Sequence, residues 1–214
     1  MQLFWHGLSS IRLEAKNGET EATLLTDPYP NESGLRFPRT IEPDVLALSH
    51  QDTSRFNLEG ATGTPFTISD PGEYEVKGIA VNGIQDPNAD KDEKRPVIYR
   101  FTAEGVSIAF LGQLKRQLTT FEVEQLGDID ILMLPVGGGD VLDSKAAVET
   151  ITTVEPRIII PLYYDVPGVK EKLTTVDAFC KQMGVCKRQD ANKLKISKKD
   201  LPADDMLIVV LERA

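Results

Sequence analysis

The sequence predicts a layered α/β sandwich, and two observations lead to this prediction. Strand patterns separated by turns fill the first half of the chain, whereas strands alternate with helices in the second half. Near-continuous apolar runs at Val45–Ser49, Ile129–Pro135 and Arg157–Leu162 are typical of strands that are buried on both faces. No tandem repeat and no low-complexity linker divides the 214 residues. We therefore predict a single domain over residues 1–214.

Five strands and their turns account for the first half of the chain. Asn17-Gly18 is a hairpin signal, and Asp70-Pro71-Gly72-Glu73 predicts a second turn. The polar and charged stretch Gln85–Arg95, which contains a proline, predicts an exposed loop. The predicted strands are Ile11–Ala15, Ala22–Thr26, Val45–Ser49, Phe66–Ser69 and Tyr74–Val81.

The second half contains three predicted helices. Thr119 or Thr120 is placed to cap a helix that ends at Leu126, and Asp143 or Ser144 to cap one that runs to about Val154. Gly184 is a suitable residue to end a helix over Thr174–Met183. The predicted strands are Val97–Thr102, Val106–Leu111, Ile129–Pro135, Arg157–Leu162, Leu194–Ser197 and Met206–Leu211.

Composition excludes several classes of protein. A net charge of −9, with 41% hydrophobic and 27% charged residues, is typical of an ordinary globular protein. The acidic balance disfavours a nucleic-acid partner, and no stretch approaches the ~20 apolar residues that span a bilayer. Two cysteines cannot form a disulfide framework, and the N-terminus does not resemble a signal peptide. We therefore expect a cytoplasmic protein without nucleic-acid or membrane partners.

A series of short segments, in a fixed order along nearly the whole chain, resembles a known family. The segments are Phe4–Ser10, Leu25–Pro28, Asp44–His50, Asp70–Gly78, Phe110–Gly112, Leu118-Thr119, Leu126–Leu132, Leu134–Gly138 and Ile160–Tyr164. Together they resemble the metallo-β-lactamase superfamily, and most closely its small metal-dependent hydrolase branch related to ascorbate-6-phosphate lactonase. The resemblance implies a four-layer αβ/βα sandwich with a dinuclear metal site at one edge of its two sheets.

The expected metal motif of that family is His-x-His-x-Asp-His, directly after a buried strand, and only its first histidine matches here. His50 stands at that position, with Asp52 in place of the second histidine. Ser54 replaces the aspartate and Arg55 the last histidine. A guanidinium carries a permanent positive charge and cannot bind a metal ion.

The other ligand positions of the family also differ. Gln113 stands in place of the bridging aspartate, Arg116 in place of a histidine that often follows it, and Tyr163 in place of the final histidine. The loop over Gln85–Arg95 contains no histidine. The chain has two histidines, whereas a dinuclear His-rich centre needs about five. His6, the second histidine, is expected to have a packing role.

These substitutions lead to a first hypothesis of a non-catalytic binding or assembly module without a cofactor. The former metal site is expected to persist as a polar pocket. Its arginines favour an anionic small molecule as the partner. The residues expected to line the pocket are His50, Asp52, Ser54, Arg55, Gln113, Arg116 and Tyr163.

Two alternatives remain open. In the first, the chain is a divergent hydrolase of a lactone or phosphoester, with His50 and Asp52 as the candidate catalytic residues. They would share at most one weakly held metal ion such as zinc, with Asp27 as a further donor. In the second, the protein is a structural subunit whose old cleft is filled by side chains. Exposed sheet edges favour a homo-oligomer, and Cys180 and Cys186 are expected to be ordinary thiols.

Overall fold

The computed structural model consists of two β-sheets and three α-helices, and it describes residues 1–38, 41–88, 95–184, 188–203 and 205–214. The predicted α/β class is confirmed. Cys186 and most of the loop predicted over Gln85–Arg95 lie outside the described residues. Within the part of the chain that is described, no helix is long and apolar enough to cross a membrane.

The first sheet has six strands in the order β13-β1-β2-β3-β4-β5. Strands β13, β1, β2 and β3 pair antiparallel, and β3, β4 and β5 pair parallel. The carboxyl ends of β3 and β4 therefore lie at the same edge of the sheet. The strands are β1 (Gln2–Gly7), β2 (Ser10–Asn17), β3 (Thr20–Thr26), β4 (Val45–Ala47), β5 (Phe66–Ile68) and β13 (Leu194–Lys195).

The second sheet has eight strands in the order β12-β14-β11-β10-β9-β8-β7-β6. Strands β6 to β9 form an antiparallel meander, and β9, β10, β11, β14 and β12 are parallel. The strands are β6 (Gly72–Val76), β7 (Ile79–Ile84), β8 (Ile98–Ala103), β9 (Val106–Phe110), β10 (Ile131–Pro135), β11 (Ile158–Leu162), β12 (Arg188–Ala191) and β14 (Leu207–Leu211).

The helices begin at residues whose side chains bind the first turn. They are α1 (Thr120–Leu126), α2 (Ser144–Val154) and α3 (Val176–Met183). Thr119, Asp143 and Thr175 accept hydrogen bonds from backbone N–H groups three residues ahead, which satisfies donors that lack a partner within the helix. The predicted caps Thr119 and Asp143 are confirmed, and Gly184 ends α3 as predicted.

The core between the sheets is apolar, with a tyrosine that links the two sheets. The side chain of Tyr99 on β8 is fully buried and stacks on Phe101 with ring centroids 5.6 Å apart. Its hydroxyl lies 2.7 Å from the carbonyl of Leu48 and 3.1 Å from that of Ile68, both in the first sheet. A buried hydroxyl with such partners satisfies polar groups that water cannot reach.

The structure divides one predicted strand and adds two. Tyr74–Val81 was predicted as one strand but forms the β6–β7 hairpin, because Lys77 and Gly78 take positive φ angles of 50° and 83°. Such a pair of left-handed residues is typical of a two-residue hairpin turn. Strands β1 and β12 were not predicted, since their sequences mix polar and apolar residues without clear strand boundaries.

The Tyr99 bridge yields a prediction about stability. Tyr99→Phe removes the hydroxyl while leaving the ring, and it leaves a buried carbonyl of Leu48 without this donor. We expect the free energy of unfolding to fall by about 1–2 kcal/mol in urea titrations. Tyr74→Phe is the control, because the Tyr74 hydroxyl has a longer and exposed bond at 3.3 Å. Equal stabilities of the two variants would contradict the role of the bridge.

Candidate functional site

The candidate site lies where the carboxyl ends of strands from both sheets meet. Asp27 directly follows β3, and Ser49 lies two residues beyond β4. In the second sheet, Gln113 follows β9 by three residues and Tyr163 directly follows β11. In α/β folds such edges form the crevices that bind ligands, since the loops there converge on a rigid sheet.

The backbone at this edge is strained at three residues that are not glycine. Leu8, Asp27 and Tyr163 have positive φ angles of 47°, 37° and 51°. The backbone N–H of Tyr163 donates to the carbonyl of Leu8 at 3.1 Å, so two strained residues support each other. Left-handed backbone is unfavourable for bulky side chains and is concentrated at functional sites.

Asp27 is fully buried and is held by Ser49. The Ser49 backbone N–H and hydroxyl donate to its two carboxylate oxygens at 2.7 and 2.6 Å. Burial raises the pKa of Asp27 to about 6, although hydrogen bonds from Ser49 and Ser9 and the charge of Arg55 act in the opposite direction. Asp27 is the further metal donor of the divergent-hydrolase alternative, and in the structure both of its carboxylate oxygens accept hydrogen bonds from Ser49.

Close packing against Ser49 explains why position 112, beside Asp27, is a glycine. Its φ angle is 53°, and a Cβ atom there would overlap the Cβ and Oγ atoms of Ser49. A side chain at this position would therefore push the chain after β9 away from the chain after β4. The glycine allows the two sheets to approach closely beside Asp27.

The loop after β4 carries four of the predicted site residues. The backbone N–H of Asp52 donates to Nδ1 of His50 at 2.9 Å, and the Ser54 hydroxyl donates to Asp52 Oδ1 at 2.8 Å. Because Nδ1 accepts this bond, the neutral His50 ring carries its proton on Nε2. A short 3₁₀ turn over Thr53–Arg55 then leads the chain to Arg55.

Beside this loop lies a cleft of about 320 Å³ that brings three of the predicted residues together. Arg55 donates to the Gln113 side-chain oxygen at 3.0 Å, which connects the two sheets across the cleft. Tyr163 lines the same cleft. The lining residues are Leu8, Tyr29, Pro30, Glu32, Ser33, Arg55, Gln113, Asp140, Val141, Tyr163, Lys170 and Glu171.

Arg116 has a different set of contacts from those expected. Its guanidinium binds the buried carboxylate of Glu122 through two bonds of 2.8 Å each, at the start of α1. The side chain thus supports the cap of that helix and is not among the residues that line the cleft. His50, Asp52 and Ser54 likewise lie in the loop that leads to the cleft, outside its lining.

Nine of the twelve lining residues were not predicted from the sequence, and Lys170 and Glu171 are two of them. Lys170 and Glu171 belong to the segment 165–174, which docks on the segment 31–35 through a bond from Lys170 N to Ser33 O at 2.9 Å. The Tyr163 hydroxyl donates to both Glu171 oxygens, at 2.9 and 3.1 Å. No local pattern in the sequence places Lys170 or Glu171 in the site.

His6 is buried with an exposed fraction of 4%, as expected for a packing role. Neither ring nitrogen has a hydrogen-bond partner, and the ring lies 6.1 Å from that of Phe37. Burial, together with the nearby Arg12, lowers the pKa of His6 to about 4, so the ring is neutral at physiological pH.

The donor set does not fit a typical catalytic metal centre. Among the described residues, no group of three or more His, Cys, Asp or Glu side chains is arranged so that it could hold a metal ion. Catalytic zinc needs three protein ligands and an open position.

Two facing β-sheets, with parallel strand ends that meet at a polar cleft, define a metallo-β-lactamase fold. The β-lactamase superfamily domain matches residues 2–163. The chain therefore belongs to the metallo-β-lactamase superfamily. The fold type that the resemblance implied, the αβ/βα sandwich of this superfamily, is confirmed. The three described α-helices all lie in the second half of the chain.

Several relatives are similar along most of the chain. A UPF0173 metal-dependent hydrolase of Methanosarcina mazei is 22% identical over 200 residues, covering 77% of this chain and 84% of the relative. One from Salinibacter ruber is 25% identical over 210 residues, covering 84% and 90%. A Thermotoga maritima structure, provisionally assigned as a Zn-dependent hydrolase of the superfamily, is 29% identical with a TM-score of 0.77, covering 99% and 98%.

These relatives correct two expectations from the sequence. The hypothesis of a non-catalytic module is wrong, because the relatives are named metal-dependent hydrolases. The chain matches 84% and 90% of the length of the two relatives. The expectation of no cofactor is also contradicted, since the same names imply a metal ion. The names and the donor set of the described residues thus disagree.

The buried carboxyl of Asp27 predicts a pH-dependent stability. Its pKa rises from an ordinary 3.8 to about 6 on folding. At pH values between these two, the native state therefore binds more protons than the unfolded state. Stability from this group is therefore present at low pH and is lost as pH rises through about 6. In Asp27→Asn this contribution is absent.

We expect the difference in unfolding free energy between wild type and Asp27→Asn to change by about 2 kcal/mol between pH 4 and 7. As the pH rises, the wild type becomes less stable relative to the variant. Urea titrations at a series of pH values measure it. Asp165→Asn, an exposed position, is the control. A difference that stays constant with pH would contradict the raised pKa.

Proposed function

We propose that the protein is a hydrolase of a small anionic ester, either a lactone or a phosphoester, which binds in the cleft. The membership of the superfamily and the names of the relatives support hydrolysis as the reaction class. Fold membership alone does not identify a substrate, so the substrate class is argued from the side chains of the cleft.

The substrate class is inferred from the surroundings of the Arg55 side chain. Its side chain is half-buried, and its hydrogen bond is to the neutral amide of Gln113 at 3.0 Å. It forms no ion pair with a described carboxylate. A half-buried guanidinium keeps its charge and has donors left over, and planar oxyanions are the ligands that such donors bind best.

Lys170 adds a second positive charge to the cleft. Its backbone is fixed to Ser33, while its side chain forms no ion pair with the described residues. The volume of about 320 Å³ suits a small molecule rather than a polymer. Two cations that line the same cleft, Arg55 after β4 and Lys170 after β11, support the binding of a carboxylate or phosphate group.

His50 and Asp52 remain the candidate catalytic residues of the loop after β4. The backbone N–H of Asp52 donates to the His50 ring and helps to orient it. Two donors are one fewer than a catalytic zinc site needs, so this pair accounts for at most one weakly held ion. The proposal assigns substrate binding to Arg55 and Lys170 and does not depend on such an ion.

The test of substrate binding uses Arg55→Met with a panel of lactones and phosphoesters. We expect wild type to hydrolyse a member of the panel and the variant to show a KM raised about 10- to 100-fold, because a charge-assisted bond is lost. Arg36→Met is the control, since Arg36 is an exposed arginine on the neighbouring loop. Wild type without activity on any anionic ester, with zinc or manganese added, would refute the proposal.

The donor set also predicts how the protein holds zinc. After loading with zinc and dialysis, metal analysis is expected to find at most one ion per chain, which dialysis against EDTA removes. His50→Ala is expected to lower the zinc content further, whereas Cys180→Ser leaves it unchanged. Two zinc ions that resist EDTA would show that residues beyond this pair complete a dinuclear centre.

A further inference from the structure

The Tyr163 hydroxyl holds a carboxylate at the wall of the cleft. Tyr163 is buried, with an exposed fraction of 6%, and its single hydroxyl proton points between the two oxygens of Glu171 at 2.9 and 3.1 Å. Burial raises the pKa of Tyr163, and the charge of Glu171 raises it further. The phenol therefore stays protonated and acts as a hydrogen-bond donor.

Glu171 is an exposed carboxylate that lines the cleft without a neutralising partner. It forms no ion pair within the described part of the chain, although Arg55 and Lys170 line the same cleft. An ionised carboxylate has about four acceptor positions, and the tyrosine hydroxyl supplies only one proton. Acceptor capacity thus remains for a water molecule.

The other carboxylates near the cleft are less suited to act on water. Asp27 is fully buried and its oxygens accept bonds from Ser49. Asp140 pairs with Lys115 at 3.1 Å. Glu32 lines the cleft, but no hydrogen bond of its side chain fixes its position. Glu171 differs from all three because it is both accessible and oriented by a buried donor, which catalytic groups require.

We propose that Glu171 is the catalytic base that activates water for hydrolysis, and that Tyr163 is the positioning residue that orients it. This assignment rests on the proposed function. In the step, the carboxylate takes a proton from water while the water oxygen forms a bond to the carbonyl carbon or phosphorus. The bond to the leaving oxygen breaks, its electron pair goes to that oxygen, and the Glu171 proton is returned there.

The substrate geometry follows from the positions of the charges. Arg55 and Lys170 bind the anionic group, and Glu171, next to Lys170 in the chain, acts on the ester beside it. The substrate is therefore an ester that carries its negative charge close to the bond that is hydrolysed. A neutral ester of equal size is expected to be a poor substrate.

The first test compares Glu171→Gln with wild type on the ester that wild type hydrolyses. We expect kcat to fall about 100-fold or more with KM changed little, because the amide cannot accept the proton. Asp165→Asn, an exposed carboxylate on the same segment that does not line the cleft, is the matched control. Thermal unfolding and inorganic phosphate binding by calorimetry confirm that the Gln variant is folded and binds anions.

The second test uses Tyr163→Phe in a double-mutant cycle with Glu171→Gln, and the readouts are kcat and KM. The effect of Tyr163→Phe is compared in the wild-type and Glu171→Gln backgrounds. If Tyr163 acts by orienting Glu171, the substitution lowers kcat with KM changed little in the wild-type background and has no further effect in Glu171→Gln. A purely structural role of Tyr163 would lower kcat by the same factor in both backgrounds, and that result in folded variants overturns the positioning role.

The outcomes separate this assignment from the proposed function. An active wild type whose kcat survives Glu171→Gln overturns the assignment of the base and leaves the hydrolase proposal intact. A wild type that hydrolyses no anionic ester overturns both. Loss of kcat in Glu171→Gln with retained phosphate binding supports both, whether or not added metal changes the wild-type rate.

Discussion

The buried carboxylate of Asp27 is the constraint on which the site depends. A buried carboxyl group is costly unless donors surround it, and Ser49 supplies two, at 2.7 and 2.6 Å. These bonds tie the end of β3 to the chain after β4. Gly112, from the second sheet, lies so close to Ser49 that a side chain would overlap it. The two sheets are therefore held together at the edge where the cleft opens.

The walls of the cleft depend on this edge. The bond between Arg55 and Gln113 spans the two sheets, and it forms because Asp27, Ser49 and Gly112 bring their loops together. The segments 31–35 and 165–174 then dock on each other. A Cβ atom at Gly34 would overlap the carbonyl of Gly168, so only glycine permits this contact. Rigid strand ends thus position loop residues that carry the chemistry.

The chain shares the fold of the superfamily, and the side chains of its cleft define what the cleft can bind. It matches metal-dependent hydrolases over most of its length, and its described residues present Arg55, Gln113 and Tyr163 around the cleft. A guanidinium, an amide and a phenol bind anions and orient carboxylates, which suits esters with a negative charge. The fold specifies where a substrate binds, and the side chains specify which substrate binds there.

The sequence alone determined the local elements and the family. Helix caps such as Thr119 and Asp143 and the apolar run of β10 were predictable because their signals lie within a few residues. The family followed from short segments in order, and it located the edge at which Arg55, Gln113 and Tyr163 meet. Within that edge the sequence could not separate the side chains of the cleft from those engaged elsewhere.

The tertiary structure alone decided which side chains meet. It engaged Arg116 with Glu122, split Tyr74–Val81 into a hairpin, and brought Glu171 to the hydroxyl of Tyr163. Each outcome depends on contacts between segments or on left-handed backbone that side-chain patterns do not encode. Local propensity acts over a few residues, whereas a site is formed by loops that only the packing of the two sheets brings together.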